Sequence, residues 1–178
     1  YVFSIKKLMK SKKNLVFLGM MGSGKSTIGS LVAKKLKFNF VDIDREIEKK
    51  FKTTIKKMFE NKGEDYFRKV EEQTTLRKLK LNSSVISIGG GAFLNKNIRQ
   101  EVIKNHLSFW LNWDIKILLD RIKNSKKRPL TIGASEDALI NLAKKRLGFY
   151  SKATYEVKCD NLSKNQIVNN IIKIYETN

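Results

Sequence analysis

Short apolar segments alternate with amphipathic segments along most of the chain. The apolar segments are four or five residues long, as buried strands are, and cover residues 14–18, 38–41, 85–88, 107–111 and 155–159. The segments between them carry apolar residues at helical spacing. They predict helices at 25–36, 44 to about 81 (interrupted near 52–54 and 62–63), 97–104, 114–123, 135–151 and 163–175. This alternation predicts an α/β fold in three layers, α/β/α, with a five-stranded parallel sheet in the middle.

Length and composition predict one folded domain. The chain has 178 residues, 41% of them hydrophobic and 30% charged, so it can bury a core and is not a disordered protein. Its single cysteine excludes a disulfide framework and a cysteine-based zinc site. No apolar run approaches the ~20 residues of a membrane span, and the first residues do not read as a signal peptide. We expect a cytoplasmic protein without membrane contact, with residues 1–11 as an extension and 12–178 as the domain.

The net charge of +20 allows two interpretations. Such a charge attracts nucleic acid and other anions. The lysines, however, are spread singly and in pairs, which favours a solvated surface over a specific nucleic-acid site. Only 7 of the 37 basic residues are arginines. Since most basic residues of this chain are lysines, we expect its arginines at positions where a planar guanidinium group binds a carboxylate or a phosphate.

Residues 19–26, Gly-Met-Met-Gly-Ser-Gly-Lys-Ser, match the phosphate-binding pattern G-x-x-x-x-G-K-[ST]. They follow a predicted strand and open a predicted helix, which is the context that the motif requires. Backbone N–H groups of such a loop surround phosphates, the lysine reaches the β- and γ-phosphates, and the serine hydroxyl can hold Mg²⁺. The candidate nucleotide-binding residues are Gly22, Ser23, Gly24, Lys25, Ser26 and Thr27.

Acidic residues and glycines follow the next two strands. Asp42 and Asp44 come after the second strand, where one could serve Mg²⁺ and the other an acceptor hydroxyl. Alternatively, one of them only caps the helix that follows. The third strand ends in Gly89, Gly90 and Gly91, which would let a ligand approach the backbone closely. Ligands of parallel sheets bind beyond these strand ends.

Six segments in this order resemble shikimate kinase, a small P-loop kinase of the nucleoside-monophosphate-kinase-like class. They are the phosphate loop, FVDID at 40–44, GEDYFRKVE at 63–71, GGGA at 89–92, RPL at 128–130 and residues 146–150. The resemblance implies transfer of the γ-phosphoryl of ATP to the 3-hydroxyl of shikimate, giving shikimate 3-phosphate and ADP on the route to aromatic amino acids. It also implies a monomer with a substrate-binding helical region at about 43–81 and a mobile lid at about 124–134.

The resemblance also implies roles for residues on the shikimate side. Asp44 would bind the hydroxyls of shikimate and help to accept the proton. Arg68 and Arg146 would hold the carboxylate, and Glu71 would orient Arg68. The backbone of residues 89–91 would contact the substrate. Because Arg68 and Glu71 stand three residues apart, one helical face can pair them.

On the nucleotide side, the resemblance implies that Lys25 and the lid residue Arg128 contact the transferred phosphoryl group. Asp42 would lie near Mg²⁺ together with Ser26, and Arg121 would lie beside adenine. Family members commonly have a proline after the fifth strand that packs against adenine, and this chain has none there. ATP and Mg²⁺ are therefore the expected co-substrate and metal, with the adenine contacts left open.

Two alternative functions and several simpler interpretations stay open at this point. Another small-molecule kinase, such as a gluconate kinase, would share the phosphate loop but would not need paired arginines. A non-catalytic nucleotide- or nucleic-acid-binding protein would draw on the charge of the chain. Arg68, Arg146 and Arg121 could each be solvated helix residues, the last most easily.

Overall fold

The computed structural model describes residues 13–123 and 135–177. Its strands are β1 (Leu15–Leu18), β2 (Asn39–Asp42), β3 (Ser84–Ser87), β4 (Leu107–Asn112) and β5 (Tyr155–Lys158). Its helices are α1 (Lys25–Leu36), α2 (Ile43–Phe51), α3 (Ile55–Leu79), α4 (Lys96–Asn105), α5 (Ile115–Lys123), α6 (Glu136–Tyr150) and α7 (Lys164–Glu176), with a 3-10 turn at Ala92–Leu94. The predicted extension at 1–11 and the predicted lid at 124–134, with Arg128, lie outside the described residues.

The five strands form one parallel sheet in the order β2-β3-β1-β4-β5. The central strand β1 pairs with both β3 and β4 and is buried throughout. Its side chains alternate between two cores, because successive residues of a strand point to opposite faces. Val16 and Leu18 join the core under α2, α3 and α6, whereas Leu15 and Phe17 join the core under α1 and α7. Two cores on opposite faces of the sheet confirm the predicted three-layer α/β fold.

The long helical region predicted from residue 44 to about 81 is two helices. Lys52 ends α2 in the left-handed conformation (φ 50°), and the Thr54 side chain accepts a hydrogen bond from Lys57 N to begin α3. The second predicted interruption lies inside α3, where Gly63 leaves the helical conformation (φ 78°, ψ 171°). Both interruptions lie where the sequence places them. The kink at Gly63 stands just before the turn that carries Arg68.

The carboxyl ends of β1, β2 and β3 meet at one edge of the sheet. The phosphate loop follows β1, Asp44 follows β2, and the three glycines follow β3. This is the edge at which parallel sheets bind ligands. Within residues 13–123 and 135–177, no helix is long and apolar enough to cross a membrane.

Candidate active site

The phosphate loop has the backbone shape of an anion site. Gly19, Gly22 and Gly24 have positive φ values of 141°, 87° and 85°, which only glycine adopts readily. Lys25 Nζ donates hydrogen bonds to Gly19 O (2.8 Å) and Met20 O (3.0 Å), so the lysine lies over the loop. The first turn of α1 contains no acidic residue, and its partial positive charge is left for a ligand.

Ser26 and Asp42 form a pair beside the loop. Ser26 Oγ donates a hydrogen bond to Asp42 Oδ2 (2.5 Å), and Asp42 Oδ1 accepts one from Arg45 N (3.3 Å). Asp42 is therefore the acid that caps α2, which leaves Asp44 for other chemistry. A hydroxyl beside a carboxylate suits Mg²⁺, which usually keeps few protein ligands. No group of three or more His, Cys, Asp or Glu in the described ranges could hold a metal, so phosphates and water would complete its shell.

A cleft of about 600 Å³ opens between the phosphate loop, α3 and the glycines after β3. It brings together the predicted site residues Gly22, Gly24, Lys25, Ser26, Thr27, Asp42, Asp44, Arg68, Glu71, Gly89, Gly90, Gly91 and Arg146. Ile55, Phe59 and Phe67 form apolar parts of its wall. The cleft therefore combines a phosphate end with a polar pocket of a size that suits a small acceptor.

Asp44 lies in the cleft among other acidic groups. Burial raises its pKa most, the carboxylates of Glu71, Asp42 and Glu48 raise it further, and Lys25 lowers it. The resulting pKa is about 6, against an ordinary value of 3.8. A carboxylate with a pKa nearer to neutrality is a better general base than an ordinary aspartate.

Arg68 is held by two glutamates on its own helix. Its Nη1 donates to Glu71 Oε2 (2.7 Å), while its Nε (3.1 Å) and Nη2 (2.9 Å) donate to Glu64 Oε1. Burial alone would lower the pKa of Arg68, but Glu71 and Glu64 raise it overall, so the guanidinium stays charged. Glu71 is only 3% exposed, and burial raises its pKa although Arg68 and Arg146 oppose this. Glu71 thus pairs with Arg68, from which it stands three residues along the same helix.

Arg146 reaches the same cleft from α6. It is 7% exposed, its Nη1 lies 3.7 Å from Met20 Sδ, and its buried Nε has no hydrogen-bond partner in the described part of the chain. A buried guanidinium N–H that lacks a partner is costly unless a ligand or a water completes its bonding. The simpler interpretation of Arg146 as a solvated helix residue is therefore wrong.

Tyr150 is a site residue that the sequence analysis missed. It lies one turn after Arg146, and its hydroxyl donates a hydrogen bond to Gly90 O. Burial is the main reason that the pKa of Tyr150 rises to about 12, so the hydroxyl stays protonated and remains a donor. The sequence signals were its place at the end of the segment 146–150 and its four-residue spacing from Arg146, which puts both residues on one helix face.

Each of the three glycines after β3 leaves room for one charged side chain. A Cβ atom on Gly89 would overlap the Glu71 carboxylate. A Cβ on Gly90 would lie 3.1 Å from Arg146 Nη1, and one on Gly91 would lie 2.7 Å from Arg68 Nη1. The absence of side chains at these glycines thus lets Glu71, Arg146 and Arg68 pack directly against the backbone. The position of the glycines in the sequence does not by itself show this reason for them.

Comparison with known proteins gives a family match over most of the chain. The family described as shikimate kinase matches residues 21–176. Shikimate kinase of Bartonella quintana is 37% identical over 94% of this chain and 81% of its own length, and that of Bacillus subtilis is 39% identical over 91% and 88%. The chain belongs to the shikimate kinase family. The predicted family is confirmed, and with it the enzyme class, ATP-dependent phosphotransferase, and the family's reaction at the 3-hydroxyl of shikimate.

Solved structures agree with this membership. A shikimate kinase from Acinetobacter baumannii, solved in complex with shikimate, has a TM-score of 0.89 at 28% identity, covering 96% of this chain and 97% of its own. The enzyme from Aquifex aeolicus has a TM-score of 0.81 at 35% identity, covering 92% and 96%. A deoxyadenosine kinase from M. mycoides, at 16% identity, shares the fold alone, with a TM-score of 0.64 and coverage of 93% and 100%.

Two of the predicted nucleotide-binding residues of this shikimate kinase family member lie at a second cavity. Ser23 and Arg121 line this cavity, which has a volume of about 300 Å³, and do not line the larger cleft. The Arg121 guanidinium lies 3.6 Å from the centre of the Trp113 ring. Gly24 and Thr27 line both cavities, so the two adjoin at the start of α1.

Replacing Gly91 by alanine tests the close approach of Arg68. The backbone of Gly91 (φ −97°) is open to alanine, so the new methyl group acts through its contact with the Arg68 guanidinium. We expect the KM for shikimate to rise about tenfold, as the loss of one good charged contact would cause, and the KM for ATP to stay within about threefold. Steady-state kinetics check this, with Gly148→Ala as the matched control because a Cβ there meets no atom within 4 Å. An unchanged KM for shikimate would mean that Arg68 does not hold the substrate.

Proposed function

We propose that shikimate binds in the cleft beside the phosphate loop and receives the γ-phosphoryl group of ATP on its 3-hydroxyl. The observation that carries this proposal is the placement of Arg68 and Arg146. They come from different helices, α3 and α6, and both enter the same cleft as Asp44 and Lys25. Two guanidinium groups, one carboxylate and a phosphate loop match the carboxylate, the hydroxyls and the phosphoryl donor of this reaction.

The shikimate carboxylate would lie between Arg68 and Arg146. Arg68 presents a fork that Glu71 and Glu64 already orient, so little side-chain entropy is lost when the substrate binds. Arg146 would complete the hydrogen bonding of its buried Nε with the substrate or with a water beside it. Tyr150 holds Gly90 in place through its hydroxyl, and the backbone of residues 89–91 lines the substrate end of the cleft.

The phosphates of ATP would occupy the loop from Gly22 to Thr27. Lys25 would turn from the carbonyls of Gly19 and Met20 towards the β- and γ-phosphates. Ser26 and Asp42 would hold Mg²⁺, whose chemistry when bound is to neutralise charge on the phosphates. The described residues contain no group of three or more His, Cys, Asp or Glu side chains that could hold a metal without the phosphates.

Asp44 would accept the proton of the 3-hydroxyl as that oxygen attacks the γ-phosphorus. Phosphoryl transfer depends mainly on positioning and on charge neutralisation, so Asp44 also serves by orienting the hydroxyl. Arg128 in the lid at 124–134 is proposed to contact the transferred phosphoryl group. We further propose that residues 12–178 form one domain. The enzyme would be monomeric and cytoplasmic, and its partners would be small molecules and not nucleic acid.

The acid limb of the pH profile tests the role of Asp44. Its carboxylate must be ionised to accept a proton, so kcat should fall through an apparent pKa of about 6 and by about tenfold per pH unit well below it. Protonation of Asp44 does not itself favour unfolding: the folded chain binds this proton more tightly than the unfolded chain, so the Asp44 contribution to stability grows as the pH falls through the window from 6 to 3.8. Assays between pH 5 and 8, with return to pH 7.5 as the control for folding, check this. A kcat that stays flat down to pH 5 would exclude Asp44 as the base.

A coupled assay of ADP release tests the proposed function. With ATP and Mg²⁺, the rate should depend strongly on shikimate and should not respond to gluconate or to AMP. Gluconate carries a carboxylate and hydroxyls but no ring, so it controls for a general hydroxy-acid site. Turnover on gluconate, or tight sequence-independent RNA binding at physiological salt without turnover, would favour one of the two alternative functions instead.

A further inference from the structure

Trp113 makes two contacts in the second cavity that link the nucleotide site to the sheet. Its indole Nε1 donates a hydrogen bond to Ser23 O in the phosphate loop (2.9 Å). The Arg121 guanidinium lies over its ring, with Cζ 3.6 Å from the ring centre. Trp113 directly follows β4, and the segment around it is fixed to the segment after β5 by hydrogen bonds from Asp114 N to Asp160 Oδ1 (2.8 Å) and from Cys159 N to Asn112 O (2.9 Å).

The residues that line the second cavity suit a flat aromatic ring. Leu162 and Ile167 supply apolar wall, and Arg121 supplies a planar cation. Arg121 is exposed and lines this cavity. Leu162 lies in the segment after β5, where this chain lacks a proline.

We infer that Trp113 is a positioning residue for the purine base of ATP, an inference that rests on the proposed function. It holds the Arg121 guanidinium over its ring so that the opposite guanidinium face stacks on the base, with Leu162 as the apolar contact on this side of the cavity. The same indole fixes Ser23, so the base site and the phosphate loop keep one relative position. A guanidinium that is already stacked loses less freedom when the base binds than a solvated one.

Two ligands of the nucleotide site distinguish a role of Trp113 in binding the base from a purely structural role. ATP carries the base and the triphosphate, whereas inorganic tripolyphosphate carries only the phosphates. In Trp113→Leu, which removes both contacts, we expect the Kd for ATP to rise about tenfold and the Kd for tripolyphosphate to rise threefold or less. Trp113→Phe keeps an aromatic face but loses the donor to Ser23, so it should retain most of the preference for ATP over tripolyphosphate. The KM for shikimate should stay within about twofold in both variants.

A double-mutant cycle tests the link to Arg121. If Trp113 acts through Arg121, then Trp113→Leu should have little further effect on the ATP-to-tripolyphosphate ratio once Arg121→Ala is present. Lys116→Ala is the matched control, because Lys116 is an exposed cation on the same helix that lines neither cavity. Independent, additive losses would overturn the inference.

Fluorescence gives a readout that does not depend on turnover or on a stable leucine variant. The chain has two tryptophans, so the ATP-induced change in the wild-type chain minus that in Trp113→Phe reports Trp113. ATP should change this signal, and tripolyphosphate should change it far less. Equal responses to both ligands, or equal losses of affinity for both in Trp113→Leu, would reduce Trp113 to a support of the phosphate loop and overturn the inference. A failure of the proposed function would differ, since shikimate turnover would be absent from the wild-type chain as well.

Discussion

Replacing Asp44 by asparagine should lower kcat by about 10³-fold while the affinity for ATP stays within about threefold. The amide keeps the shape of the side chain but cannot accept the proton of the 3-hydroxyl, and general-base catalysis is worth about 10²- to 10⁴-fold. Single-turnover kinetics with saturating ATP and shikimate measure the chemical step directly. ATP titration of the same variant separates binding from chemistry.

The fold of this variant should survive at pH 7. Burial and the neighbouring carboxylates of Glu71, Asp42 and Glu48 disfavour the Asp44 charge, so removing that charge relieves repulsion and should not lower the Tm. Asp65→Asn is the matched control, since Asp65 is an exposed acid on α3 that does not line the cleft. A near-normal kcat in Asp44→Asn would remove Asp44 from the proton transfer.

Replacing Arg68 by alanine should raise the KM for shikimate about 10²-fold and leave the KM for ATP within a few-fold. A charged hydrogen-bonded pair that is removed from a desolvated site costs about 2–5 kcal/mol, and about 2.7 kcal/mol corresponds to 10²-fold. The loss has two sources, the missing contact with the substrate carboxylate and the Glu71 carboxylate that is left without its 2.7 Å partner. Steady-state kinetics with each substrate varied in turn give both constants.

Arg68→Lys distinguishes these two sources. Lysine keeps a positive charge beside Glu71 but loses the planar fork, so a large part of the KM increase should persist. Arg77→Ala is the control, because Arg77 lies exposed on the same helix outside the cleft. An unchanged KM for shikimate in Arg68→Ala would mean that the carboxylate binds elsewhere.

Local signals in the sequence were sufficient to predict those parts of the site that lie within a single segment of the chain. The glycine spacing at 19–26 and the helical period of 25–36 predict the loop and α1, which the structure places at Lys25–Leu36. The strand predicted at 38–41 begins one residue later, because Phe38 N still donates a hydrogen bond to Ala33 O at the end of α1. Strand ends are set by such local geometry and by pairing, which periodicity does not report.

Contacts between distant segments could not be predicted in the same way. The sheet order depends on which strands pair after the chain has folded, and the alternation of strands and helices does not specify it. Tyr150 acts on Gly90, which is 60 residues away, and Trp113 acts on Ser23, which is 90 residues away. Trp113 lies outside the six segments that carry the resemblance, and the segment 146–150 does not show which residue the Tyr150 hydroxyl contacts. The sequence likewise left open which of Asp42 and Asp44 caps α2, and the observed hydrogen bond from Arg45 N to Asp42 Oδ1 was needed to assign the cap to Asp42.

The most direct test of the central claim is to identify the product by phosphorus NMR. The wild-type chain is incubated with ATP, Mg²⁺ and shikimate at pH 7.5, and the new phosphomonoester is assigned by its coupling to the ring proton on carbon 3. We expect shikimate 3-phosphate and ADP in equal amounts, with little free phosphate, and no such product from Asp44→Asn on the same timescale. Free phosphate released without shikimate, or a phosphoryl group on another oxygen, would show that this chain does not transfer phosphate to the 3-hydroxyl of shikimate.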